Sequence, residues 1–299
     1  MSRVWFITGS SRGLGRAIAE IVLAQGDKLV ATARRPEQLN ALKEQYGDQI
    51  RTVALDVRHA DQAQAAIQTA VDVFGQLDVV VNNAGYGNIA AIEEASAEEF
   101  RDQIDTNLWG VIHVTRAALP FLRRQRSGHI IQISSVGGRI GTAGLSAYQT
   151  AKWGVEGFSE VLAQEVAPLG IKVTIVEPGA MATDWAGSSM HITEPGDDYQ
   201  ASVGMVVSML RSVESVSTYG SDIHKVAQAI LTIVDTPEPP LRLLMGSDAW
   251  QLAMAADQKK LAEMKQWQDL SYATDVDAAD LSLAEEVTKI TNRKEAQAS

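Results

Sequence analysis

Tyr148 and Lys152 stand four residues apart in YQTAK, and in a helix that spacing puts both side chains on one face. A free tyrosine titrates near 10 and exchanges protons poorly at neutral pH. A lysine ammonium about 5 Å away is worth about 3 kcal/mol at an effective dielectric near 20, or about two pKa units. Such a pair is enough to make a phenol useful as an acid or base. Ser135 follows the β-rich run His129 to Ser134 (HIIQIS), where its hydroxyl can donate to an oxygen that gains negative charge.

A second feature lies near the start, in TGSSRGLG from Thr8 to Gly15. Glycines there let the backbone turn tightly and approach a pyrophosphate, and a following helix N-terminus offers amide donors and a positive dipole end. The candidates are Gly9, Ser11, Arg12, Gly13, Leu14 and Gly15. The motif gains meaning from a strand before it and a helix after it. VWFIT (Val4 to Thr8) precedes it, and Leu14, Ile18, Ile21 and Val22 follow at helical intervals.

Three other sites agree with a dinucleotide. Asp56, beside Val57 in LDV, can accept from an adenine amino group. Asn83, Ala84 and Gly85 are small enough for a ribose to lie on backbone. Pro178, Gly179 and Thr183 can hold a carboxamide through a hydroxyl or an amide. All follow predicted strands, where ligands of open α/β sheets bind. NAD-selective sites place a carboxylate at the end of the second strand. Here Ala33 is followed by Arg34 and Arg35, and guanidinium groups hold phosphate through several donors at once. Arg12 can add another. The expected cofactor is NADP(H), with Arg34 as the main contact to the 2′-phosphate.

These residues need a scaffold, and the chain spells one. Apolar runs at Val4 to Thr8, Lys28 to Ala33, Arg51 to Leu55, Asp78 to Val81, His129 to Ser134, Lys172 to Glu177 and Leu241 to Met245 read as strands. Helical patterns separate them: Leu14 to Gln25, Pro36 to Gln45, Ala60 to Phe74, Ala97 to Arg124, Ala147 to Ala167 and Ile223 to Val234. Strands joined by crossover helices imply a parallel sheet covered on both faces. The expected fold is α/β, a Rossmann-type doubly wound sheet in three α/β/α layers. Residues 1–246 form this domain, with 180–220 as a substrate lid. Residues 247–299 are a C-terminal helical extension of the same domain, carrying Trp250, Leu252, Met254, Leu261, Met264 and Trp267.

The motifs together resemble the short-chain dehydrogenase/reductase family in its single-domain form. The matching residues are TGSSRGLG, LDV, NNAG, Asn107 in DTNLWG, ISS at Ile133 to Ser135, YQTAK, and PGAMAT at Pro178 to Thr183. They follow the family's order and spacing from about Arg3 to Gly246. The resemblance implies a nicotinamide cofactor and reduction of a ketone or aldehyde, or the reverse oxidation. It gives Tyr148 the proton, Ser135 the substrate oxygen, and Lys152 the nicotinamide ribose as well as the phenol. Asn107, in mid-helix, is expected to hold a water between Lys152 and solvent. The alternative is a catalytically silent NADP-binding sensor or scaffold, which the intact Ser135, Tyr148 and Lys152 oppose. Family members commonly pair through their two long helices, so a homo-oligomer, dimer or tetramer, is expected.

Composition narrows the rest. A formal net charge of -11 argues against nucleic acid and anionic membranes as partners. With no cysteine, thiolate catalysis and disulfides are excluded. His59, His113, His129, His191 and His224 show no two-ligand spacing, so no metal is expected. No leader pattern or spanning apolar run is visible, and the expected location is cytoplasmic. Tyr86, Trp153, Trp185 and Met190 are candidate pocket residues, but packing alone would also account for them.

Overall fold

A computed structural model describes residues 2–181, 190–212, 220–276 and 282–291. Seven strands form one parallel sheet: β1 (Val4–Ile7), β2 (Lys28–Ala33), β3 (Ile50–Ala54), β4 (Val79–Asn82), β6 (Gly128–Ile133), β7 (Ile171–Pro178) and β9 (Arg242–Met245). Their spatial order is β3-β2-β1-β4-β6-β7-β9. The order reverses between β1 and β4, so the crossover loops diverge there and leave a crevice at the strands' carboxyl ends. Register is set strand by strand, with Phe6 beside Val30 on one side and Val80 on the other.

The strands are mostly apolar because both faces are covered, with Thr32, Gln132 and Thr174 buried among the apolar side chains. Successive side chains point to opposite faces. Trp5 and Ile7 join one core with α1 (Gly13–Ala24) and α8 (Ile223–Asp235), through Leu14, Ile18, Val22 and Ile230. Val4 and Phe6 join the other with α3 (Ala60–Phe74), α5 (Gly110–Gln125) and α6 (Ser146–Val166), through Ile67, Val114, Leu122 and Leu162. Trp5, Phe6, Ile7, Ile18 and Ile67 are fully buried. Each such side chain contributes roughly 1.5–3 kcal/mol relative to exposure.

Two expectations about elements need correction. The long helix from Ala97 to Arg124 is three pieces: α4 (Ala97–Ile104), a π turn at Asp105–Trp109, and α5. Asn107 sits inside that π turn and is completely buried. The segment after β7 is also more regular than a loop. Met190–Ile192 (β8) pairs in parallel with Gly87–Ile89 (β5), and Met205–Ser212 is a helix (α7). Val203 and Val207 pack there with Ile89 and Leu145. Thr183 and Trp185 lie outside the described residues.

The compact unit built on the sheet extends through Ala253, beyond Gly246, because the first turns of α9 (Ser247–Gln266) bury Ala249 and Ala253. The large apolar residues of that stretch do not make the contact: Trp250 and Leu252 are exposed. The two alanines, four apart on one face, let the helix approach closely. The second unit, Met254–Ser299, contains the rest of α9, Gln268–Tyr272 (α10) and Ser282–Thr291 (α11). Leu261, Met264 and Trp267 of that unit are exposed.

Candidate active site

A cavity of about 790 Å³ opens at the carboxyl ends of β1, β2, β4 and β6. Of the predicted residues, Gly9, Ser11, Arg12, Gly13, Leu14, Arg34, Arg35, Asp56, Val57, Asn83, Ala84, Gly85, Tyr148 and Lys152 line it. Gly15, Asn107, Ser135, Pro178 and Gly179 stand behind or beside that lining.

The glycine loop keeps its shape because side chains would not fit. Gly9 has φ +68, and a Cβ there would lie 3.0 Å from the Ala84 Cα. A Cβ on Gly15 would lie 2.4 Å from both the Gly9 carbonyl oxygen and the Asn83 Nδ2. The Asn83 amide donates to the Thr8 and Gly9 carbonyls at 2.9 and 3.2 Å. The Thr8 hydroxyl oxygen accepts from the backbone N–H groups of Asn83 and Ala84, both at 2.9 Å. The first and fourth strands' loops are thus tied into one cradle. α1 opens into it with no side-chain cap and no acidic residue in its first turn. Its leading amides are left for an anion, which is the property a pyrophosphate needs. Arg12, Arg34 and Arg35 are exposed at the rim, and no carboxylate among the described residues pairs with them. The residues present therefore fit a phosphorylated dinucleotide.

Asp56 lines the cavity with a partner of its own. Its carboxylate accepts from the Arg58 side chain, at 2.7 Å from Nη2 and 3.0 Å from Nε. This pairing holds the Asp56 pKa below the usual carboxylate range. Arg58 also reaches Asp102 at 3.5 Å and lines the cavity beside Asp56.

At the inner end, Tyr148 and Lys152 are both buried on α6. The Tyr148 phenol shares a hydrogen bond with the Ser135 hydroxyl, and burial pushes its pKa up to about 12. Ser135 Oγ accepts from the Gly137 N–H at 3.0 Å, which fixes the turn after β6. Lys152 Nζ donates to the Ile133 carbonyl at 2.7 Å and lies 5.7 Å from the Tyr148 ring centroid. Burial lowers the Lys152 pKa to about 8, against the pull of Glu156. The expected lowering of the tyrosine by its lysine is therefore not the outcome here. Desolvation of the phenol wins, and the ammonium is turned toward a carbonyl.

Asn107 is held by the loop after β4. Its Oδ1 accepts from the Tyr86 N–H at 3.1 Å, and its Nδ2 donates to the Tyr86 carbonyl at 2.8 Å. A Cβ on Gly85 would lie 2.7 Å from Asn107 Oδ1 and 3.8 Å from Lys152 Nζ. The three residues meet around one missing side chain. The π turn offers the asparagine this inward position, and Gly110 lets the next turn approach Val57, whose Cγ2 would lie 2.5 Å from an added Cβ.

The short chain dehydrogenase family matches residues 3–192. The oxidoreductase BOA17 of Botryotinia fuckeliana (strain B05.10) is 50% identical over 278 residues, covering 92% of this chain and 100% of that protein. This chain belongs to the short chain dehydrogenase family. As such it is an oxidoreductase acting on carbonyl or alcohol groups. A short-chain dehydrogenase from Streptomyces avermitilis superposes with a TM-score of 0.86 at 38% identity, covering 92% of this chain and 98% of that one. An alcohol dehydrogenase from the archaeon Thermococcus sibiricus, complexed with 5-hydroxy-NADP, superposes with a TM-score of 0.67 at 26% identity, covering 83% and 97%. No described helix is long and apolar enough to cross a membrane.

Several residues at this short chain dehydrogenase site carry no mark in the sequence reading. Gln38, Arg58 and Thr106 also line the cavity. Glu156, one helical turn beyond Lys152, is buried, and its Oε2 accepts from Arg242 Nε at 3.0 Å. Glu177 is buried beside it, 3.2 Å from Arg139 and 3.4 Å from Arg242. The Lys152–Glu156 spacing of four is the signal that could have found the first of these.

Burial, reinforced by Glu177, pushes Glu156 up to about 7 from an ordinary 4.5, against Arg242. Between those values the native protein keeps a proton that the unfolded chain has lost. Folding is therefore favoured by this group below about 4.5 and loses that contribution as the pH rises through about 7. In Glu156→Gln, which cannot titrate, that loss should vanish. Urea midpoints near the two ends of the window test this: parallel profiles for variant and wild type would contradict the assignment.

Proposed function

We propose that this chain is an NADPH-dependent carbonyl reductase with Tyr148 as proton donor. The observation that carries the reading is the juxtaposition at one sheet edge. An uncapped helix N-terminus and three arginines that pair with no carboxylate among the described residues lie at one end of the cavity, and Ser135, Tyr148 and Lys152 meet at the other. Arg34 and Arg35 at the end of β2 favour the 2′-phosphate form, as does the NADP analogue in the Thermococcus sibiricus enzyme. Asn83, Ala84 and Gly85 would take the adenosine side, and Lys152 the nicotinamide ribose. Pro178 and Gly179, with Thr183, would take the carboxamide.

When bound, the nicotinamide supplies a hydride to a carbonyl carbon. Everything else falls to the protein. A phenol held near 12 is neutral at ordinary pH, so Tyr148 is loaded with the proton that the new alcohol oxygen needs. Ser135 donates to the same oxygen as its charge grows. Lys152 supplies positive charge behind the phenol once it gives up its proton. Trp109, Trp153 and Val161 are exposed on and beside α5 and α6, and pairing of two copies through these helices is part of the proposal. Sedimentation at the mass of one chain would remove that part.

The test is loss of the reduced cofactor's near-ultraviolet absorbance with a panel of ketones and aldehydes. The expected result is consumption with NADPH over NADH. Binding of NADPH with no turnover of any carbonyl would leave only a cofactor-binding sensor.

A further inference from the structure

The chain beyond β9 reaches back into the site. Asp248, in the first turn of α9, accepts the backbone N–H of Ala180 on its Oδ2 at 2.8 Å. Two glycines make room for this one carboxylate. A Cβ on Gly179 would lie 2.2 Å from Asp248 Oδ2, and a Cβ on Gly246 would lie 2.4 Å from Oδ1. Gly246 also has φ +105, a conformation that other residues resist.

The loop so held is the one that follows β7 at the cavity. The Gly179 N–H donates to the Met245 carbonyl at 3.0 Å, and the Ala180 carbonyl accepts from Ser221 at 2.8 Å. Met181, the next residue, lines the cavity. On the other side, Ala249 and Ala253 bury against Val136, the neighbour of Ser135. The same two turns of helix therefore touch the loop after β7 and the turn that carries the serine.

We propose that Asp248 is a positioning residue for the nicotinamide half of the cofactor, acting by holding the Gly179–Met181 loop in place. This rests on the dinucleotide reading of the cavity. The N–H···carboxylate bond is charge-assisted, and such bonds are stronger than neutral ones. Without its acceptor, the Ala180 amide and the loop around it lose the only acceptor they have on α9 among the described residues. The arginine end of the cavity is untouched by the change. The cost should fall on one half of the ligand only.

The experiment uses full-length wild type, Asp248→Ala and Asp248→Asn, titrated calorimetrically with NADPH and with adenosine 2′,5′-bisphosphate, which lacks the nicotinamide half. Asp248→Ala should bind NADPH about tenfold more weakly and the fragment as the wild type does. Asp248→Asn keeps an oxygen for the same N–H and should recover most of the loss. Equal NADPH affinity in wild type and Asp248→Ala, or equal weakening of both ligands, would overturn the proposal while leaving the cofactor reading in place. A wild type that binds neither ligand would overturn both. Amide exchange of the wild type is an independent readout that needs no variant. The Ala180 N–H should be protected before any cofactor is added, and exchange at the rate of a free amide would overturn the clamp.

Discussion

Tyr148→Phe lowers kcat for carbonyl reduction by about 10²- to 10⁴-fold and leaves NADPH affinity close to wild type. The phenol is buried against Ser135, and Phe fills the same space without a proton to give. Its pKa near 12 means that the acid form is fully populated across the pH range of an ordinary assay. Lys152 Nζ donates to the Ile133 carbonyl, and a serine hydroxyl such as Ser135 can stabilise the oxygen by a hydrogen bond but is a far weaker acid than a phenol. Single-turnover rates separate the chemical step from product release. A rate within about tenfold of wild type would be too small a loss for a general acid and would remove Tyr148 from that role.

Arg34→Asp reverses the cofactor preference. Arg34 follows β2 and stands exposed at the cavity rim, where a 2′-phosphate would sit and where a 2′-hydroxyl would otherwise want a carboxylate. The substitution removes a charge-assisted partner and adds a repulsive one, and both act against the same phosphate. Loss of one such bond alone is worth about 1.5–3 kcal/mol, so a combined change of about 3 kcal/mol or more is about a hundredfold in the kcat/KM ratio of NADPH to NADH. Arg12 and Arg35 remain on the rim and should keep some NADPH activity. A ratio unmoved by the substitution would show that Arg34 faces solvent in the complex.

The sheet was legible because its strands are short, mostly apolar, β-branched-rich runs separated by helical patterns. Phe6 or Ile131 has no other place to go in a three-layer fold, and the expected and observed strands differ by a residue at their ends. The glycine cradle was legible for a related reason: Gly9 and Gly15 stand where any Cβ would collide. What stayed hidden depends on distances that spacing does not encode. β5 and β8 are three residues each, too short for a periodic signal. The π turn adds one residue to a helix whose apolar pattern continues on both sides, so spacing does not show that Asn107, although a candidate, is drawn fully into the interior. Tyr148 and Lys152 were found by spacing, but spacing says nothing of where the ammonium points. Burial of the phenol raises its pKa, opposite to the direction expected from the spacing. Asp248 was invisible because its partner, Ala180, is remote in sequence and contributes only backbone.

We propose that this cavity delivers hydride from NADPH to a carbonyl carbon under a proton from Tyr148. The most direct measurement is mass spectrometry of the alcohol formed from a ketone in the presence of NADPH deuterated at the nicotinamide C4, with each face of the ring labelled in turn. One deuterium is expected on the carbinol carbon from one labelled face and none from the other, with Tyr148→Phe forming almost no product. An unlabelled alcohol from both cofactors, or labelled product formed as fast by Tyr148→Phe, would contradict it.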